Sequence, residues 1–199
     1  MLPKSPTILA FDTSAAHCAA ALLQGDTITT RIDEMAKGQA EHLMPMLTEV
    51  LSDAGLTWSD LDAIGVGTGP GNFTGIRISV SAARGLALGL SIPAIGVNGF
   101  EALTHGLILP ITALIDAPRG SAYLQHFTAD GPQAPEMIVV ADHQIEGPIA
   151  PALSAADHVT NIARVAAERS GQTQPRPAPL YVRTADAAPP RDPAPVILS

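Results

Sequence analysis

The sequence has almost no cysteine, few cations and no long apolar run, and each shortage removes a class of protein. Cys18 is the single cysteine in 199 residues, so no internal disulfide framework is available and a reducing compartment, the cytoplasm, is expected. Lys and Arg number 11 against 19 Asp and Glu, a formal net charge of -8. A protein that grips nucleic acid unaided needs clustered cations to release counterions, and no basic stripe is present. Arg164, Arg169, Arg176, Arg183 and Arg191 raise the positive density toward the C-terminus, but acids and prolines separate them as on a solvated surface. The apolar region 73–97 is broken by Arg77 and Arg84, which argues against a membrane span. The apolar stretch before Asp12 is too short for a signal-peptide core, so no targeting signal is expected. The six histidines occur singly, none paired at helical ligand spacing, and no metal site is expected. Ser14, Ser79 and Ser121 lack a G-x-S-x-G elbow, and Cys18 lies in an alanine-rich strand where a thiol is inert packing.

What is there reads as alternating strands and helices, in a chain that is 46% hydrophobic. Residues 7–12, 17–24 and 27–32 predict a three-strand meander, with the Gly25-Asp26 turn between the last two. Residues 39–54 place Leu43, Leu47, Val50 and Leu51 at helical spacing, and Pro45 within them predicts a kink or a late helix start. Strand 62–67, helix 73–90, strand 92–97 and helix 99–105 follow, an alternation that requires parallel pairing with helices on the sheet. From Leu109 the opening theme returns faintly: an apolar strand ending at Asp116, a turn, and a second strand at 122–128. A strand at 137–140 and a helix at 154–168 are expected beyond it. The division is then 1–105 for a first α/β lobe, 106–170 for a reduced second lobe and 171–199 for a proline-rich segment.

The run GTGPGNFTGIR, 67–77, raises the question of a phosphate cradle. Gly67, Gly69, Gly71 and Gly75 would let backbone N–H groups converge at a helix start. No Lys-Ser or Lys-Thr pair follows, so this is no P-loop, and Asn72 stands where a dinucleotide fingerprint needs its third glycine. The competing reading is a hinge whose Asn72 or Thr74 caps the next helix. Asp12, beside Thr13 and Ser14, is placed to orient a metal-bound water or a nucleotide phosphate, or else to close a turn. Asp12, Thr13, Ser14, Gly69, Gly71, Asn72 and Thr74 form the candidate nucleotide set.

The helix behind the run has a second peculiarity. Gly75, Ser79, Ala82, Ala83, Gly85 and Gly89 leave one side nearly free of bulk, while Ile76, Val80, Leu86 and Leu90 supply apolar contacts. Either the sheet or another chain takes up the slender side. With Leu43, Met44, Met46 and Leu47 of the earlier helix, the residues Phe73, Ile76, Ser79, Val80, Ala83 and Leu86 form the candidate partner-binding set.

ILAFDTS, GVGTGPGNFTGIRI with its small-residue helix, and PLYVR in the tail together resemble the TsaB (YeaZ) family. The resemblance is firmest over the first half of the chain; Ile115 to Tyr123 matches the start of that family's second lobe. It implies an actin-like ATPase fold (the ASKHA, RNase H-like class) of two related lobes, here with the second reduced. It implies a non-catalytic subunit that dimerises with and activates TsaD, the threonylcarbamoyl-transferring relative, with a TsaE ATPase joining them. A homodimer is implied when the chain is alone, and contact with tRNA only through the complex. No cofactor of its own is implied, ATP or ADP and a divalent metal being left to the assembly. A stand-alone actin-like phosphotransferase working through Asp12 is the alternative, and a metal-dependent peptidase lacks a ligand set.

Overall fold

The computed structural model describes residues 5–182. Arg183, Arg191 and the proline-rich tail from 183 onward lie outside the described residues. The first sheet is ordered β3-β2-β1-β4-β5. It is built from β1 (Thr7–Asp12), β2 (His17–Gln24), β3 (Thr27–Glu34), β4 (Ala63–Gly67) and β5 (Ala94–Val97). The first three pair antiparallel, while β4 and β5 join β1 in parallel. Central β1 is buried along its whole length, which is why it reads as an unbroken apolar run rather than an alternating one.

Parallel joins need crossovers, and two helices supply them on one face of the sheet. These are α1 (Gln39–Asp53), between β3 and β4, and α2 (Phe73–Leu90), between β4 and β5. Leu43, Met46, Leu47 and Leu51 of α1 join Ile76, Val80 and Ala83 of α2 over Leu9, Phe11 and Ile64 of the strands. Helix α1 begins at Gln39 and continues past Pro45, so the expected late start does not occur. Strand β3 continues to Glu34, two residues past its expected end. Its end is tied to α1: Asp33 takes a 2.6 Å contact from His42, and Arg31 pairs with Glu49.

The opposite face is covered from far along the chain. Helix α4 (Ala155–Arg169) lays Val159, Ile162, Ala163 and Ala166 on Ile8, Ala10, Ala19, Ala21 and Ile95. By its place in the sequence this helix is expected in the second lobe, but it packs on the first sheet. Short helix α3 (Gly99–Thr104) leads into the second sheet, where β7 (Ser121–Thr128) pairs with β6 (Ile111–Ala117), β8 (Gly131–Pro132) and β9 (Glu136–Val139). The meander with a parallel flank, helices on both faces and a smaller second sheet together form the actin-like α/β architecture, with its second lobe reduced. Among the described residues no strand forms at Pro179–Val182; instead the Leu180 N–H donates to the Thr68 carbonyl at 2.8 Å.

Candidate functional site: the glycine loop, the cleft and the outer face of a helix

The glycine loop is shaped by the turn after β1. The Thr13 hydroxyl donates to the Gly75 carbonyl at 2.6 Å, and the Asn72 N–H donates to the Ser14 carbonyl at 2.7 Å. The Asn72 side chain accepts from the Gly75 N–H at 2.8 Å, the expected cap of α2. A Cβ at position 75 would sit inside the Thr13 carbonyl oxygen, and one at 67 would overlap the Asp12 carboxylate. These glycines therefore serve a close approach between two parts of the same chain. The N–H groups of Thr68, Asn72 and Gly75 are engaged internally, so the run works first as a hinge that seats the helix.

Asp12 is 1% exposed. Its Oδ1 accepts from the Ser14 N–H at 2.9 Å and the Ser14 hydroxyl at 2.7 Å, which is a turn-closing arrangement, and His17 Nε2 stands 3.6 Å away. Its Oδ2 has no hydrogen-bond partner among the described residues. Burial pushes the carboxyl pKa up, but His17, the field of His158 and the two Ser14 bonds outweigh it and hold Asp12 below the usual carboxylate value. Around it lies a cleft of about 620 Å³ between the lobes, lined by Asp12, Ser14, His17, Gly71, Asp116 and His158 among others. Burial, with Asp12 opposing and His17 adding, lowers the His158 pKa.

Of the candidate nucleotide set, Asp12, Ser14, Gly69 and Gly71 meet at this cleft. Thr13 is buried and Asn72 caps, so both are structural, while Thr74 is exposed on α2. In the sequence His17 and His158 are lone histidines, and Asp116 is only an echo of Asp12. The fold brings both acids to one cleft, which the repeated strand-acid-turn pattern foreshadowed; nothing local in the sequence marked His158. Among the described residues no three His, Cys, Asp or Glu side chains are grouped to hold a metal ion.

The candidate partner-binding set needs correction. Leu43, Met46, Leu47, Ile76, Ser79, Val80 and Ala83 are all buried in the chain's own core, so their side chains cannot meet a partner. The small residues let α2 settle onto β4: the Ser79 hydroxyl donates to the Gly67 carbonyl at 3.3 Å. Leu86 is half-buried against the same core, leaving Met44 and Phe73, 37% and 53% exposed, as members of that set on the surface. The outer face of α2 carries different residues at helical spacing: Phe73, Arg77, Ser81, Arg84 and Leu88, the last 81% exposed. Gly85 and Gly89 flank this stripe with open space where a side chain would stand. At its start the Arg77 guanidinium lies 3.8 Å over the Phe73 ring and donates through Nε to the Tyr181 hydroxyl at 2.9 Å.

Comparison with known proteins agrees with this architecture. A family model described as TsaD, tRNA N6-adenosine threonylcarbamoyltransferase, matches residues 32–142. The tRNA threonylcarbamoyladenosine biosynthesis protein TsaB of Escherichia coli is 33% identical over 128 residues, covering 62% of this chain and 55% of that protein. The TsaB protein of Bacillus subtilis is 40% identical over 124 residues, 59% of this chain and 53% of its own length. The chain thus spans about half the length of these curated relatives. An uncharacterized protein of Mycobacterium bovis is 31% identical over 203 residues, covering 92% and 94% of the two chains. The solved structure of YeaZ from Pseudomonas aeruginosa superposes with a TM-score of 0.71 at 24% identity, over 89% of this chain and all of that one, a likeness of fold. On the family model, these relatives and the shared fold, the chain belongs to the TsaB (YeaZ) family.

Proposed function

We propose that this chain takes part in forming N6-threonylcarbamoyladenosine on tRNA as a non-catalytic subunit that dimerises with and activates a TsaD-like enzyme. The names of the relatives support the pathway. The observation that carries the accessory role is the outer face of α2, where an exposed Phe73-Arg77-Ser81-Arg84-Leu88 stripe is flanked by two bare glycines. An aromatic and an arginine at one end, a leucine at the other and slender backbone between them suit close approach by a second helix. The same face serves a second copy when the enzyme is absent. A TsaE-like ATPase joins the pair, tRNA is met through the assembly, and the setting is cytoplasmic. Among the described residues no helix is long and apolar enough to cross a membrane.

ATP or ADP and a divalent metal belong, in this reading, to the assembled complex. The glycine loop fits a bound phosphate poorly, because three of its N–H groups are spent within the chain. Asp12 is engaged through Oδ1, by Ser14 and the nearby His17, and its Oδ2 is without a partner among the described residues.

The test is co-expression with a TsaD-like protein, followed by size exclusion and a modification assay with each component omitted. Gly85→Glu combined with Leu88→Glu is expected to abolish co-elution and tRNA modification while the chain keeps its circular dichroism, since both positions are exposed. Normal co-elution of that variant, or full modification without this chain, overturns the proposal.

A further inference from the structure

Beside the outer face of α2 lies a groove of about 500 Å³ shared with the segment after α4. Gly85, Leu88, Ile92 and Pro177 give it an apolar lining, and the open space at Gly85 admits a chain close to the helix backbone. Each side contributes one arginine, Arg84 from α2 and Arg176 from the segment. Neither has an ion-pair partner among the described residues, whereas Arg31 and Arg169 are paired with Asp33 and Glu101. Among the described residues no Asp or Glu lines the groove, and α2 carries none, in a chain where acids outnumber Lys and Arg 19 to 11. Two unpaired cations over an apolar lining, in an acidic chain, call for carboxylates on whatever fills the space.

We infer that the groove seats an acidic, partly apolar segment of the partner subunit, which rests on the proposed pairing with a TsaD-like enzyme. Leu88 and Ile92 take the apolar side chains, and Arg84 and Arg176 each donate to a carboxylate in a bidentate fork. A nucleic acid suits the groove less well. Two cations make no track for a phosphate backbone, and among the described residues no aromatic ring lines the groove for a base to stack on.

The test uses the full chain reconstituted with the TsaD-like subunit. With Leu88 replaced by benzoylphenylalanine, photolysis is expected to cross-link a partner peptide that contains Asp or Glu. Arg84→Glu combined with Arg176→Glu is expected to weaken the complex by about tenfold or more. Changing the cross-linked acids of the partner to Arg is expected to restore part of that loss. Circular dichroism and the urea midpoint check that the exposed double variant remains folded. If the complex forms and the charge-reversed variant binds as tightly, or the cross-linked peptide carries no acid, the groove assignment is overturned while the pairing stands. If wild-type chain and enzyme do not pair at all, the pairing fails and the groove assignment with it. Loss of binding to a short single-stranded RNA, with subunit affinity unchanged, also overturns it, in favour of a nucleic-acid ligand.

Discussion

At the scale of single residues, Gly75 is the least replaceable position in the loop. A methyl group there meets a backbone carbonyl, Thr13, which has no flexible end to move aside. Gly75→Ala is expected to cost about 3 kcal/mol or more, read as a fall in the urea midpoint. Gly85 is its converse, with open space around it in the same helix. Gly85→Ala is expected to stabilise the free chain by about 1 kcal/mol through helix propensity alone, while weakening the complex if the helix face docks as proposed. Two calorimetric scans and one binding titration separate these outcomes. His158 gives a pH dependence. Its pKa is below the ordinary value of about 6.5, so the unfolded chain takes up a proton first. The stability tied to neutral His158 is present above that value and drains away as pH falls toward the folded pKa. Urea midpoints measured from about pH 7 to about pH 5 should decline, and the decline should be shallower in His158→Gln. Cys18 is raised to about 11 by burial and by the charges of Asp33 and Asp12. It is expected to resist alkylation at neutral pH until urea unfolds the chain.

At the scale of elements, local chemistry was legible and direction was not. Asn72 could be identified as a cap because the bond it makes is three residues away. The three-strand meander followed from β-branched residues around a Gly-Asp turn, and the strand-helix alternation gave the parallel joins. Ser79 and Ala83 could not be assigned to a side by the same means. A small residue suits the core and an interface equally, and the choice was made by β4 and the Thr13 turn, which come near only in the fold. The outward stripe of α2 was hidden for a related reason. Its members are an aromatic, two arginines, a serine and a leucine, so no run of like residues marks it. His158 was beyond reach, since it arrives at the Asp12 cleft on a helix from the far end of the described chain.

At the scale of the whole molecule, the two faces of the first sheet are closed by segments made at very different times. Residues 39–90 supply the helices of one face, whereas the other waits for α4, after the second sheet. Ending the chain before residue 155 would leave Ile8, Ala10, Ala19, Ala21 and Ile95 without Val159, Ile162, Ala163 and Ala166 above them. Such a truncation is expected to bind a hydrophobic dye and precipitate, as centrifugation and dye fluorescence would report. The late arrival of this cover bears on synthesis. A ribosome that has released the first hundred residues displays a sheet greasy on one side, and must extend the nascent polypeptide well past it before that side can be shielded. Throughout that interval the emerging chain is a natural client for whatever chaperone waits at the exit tunnel.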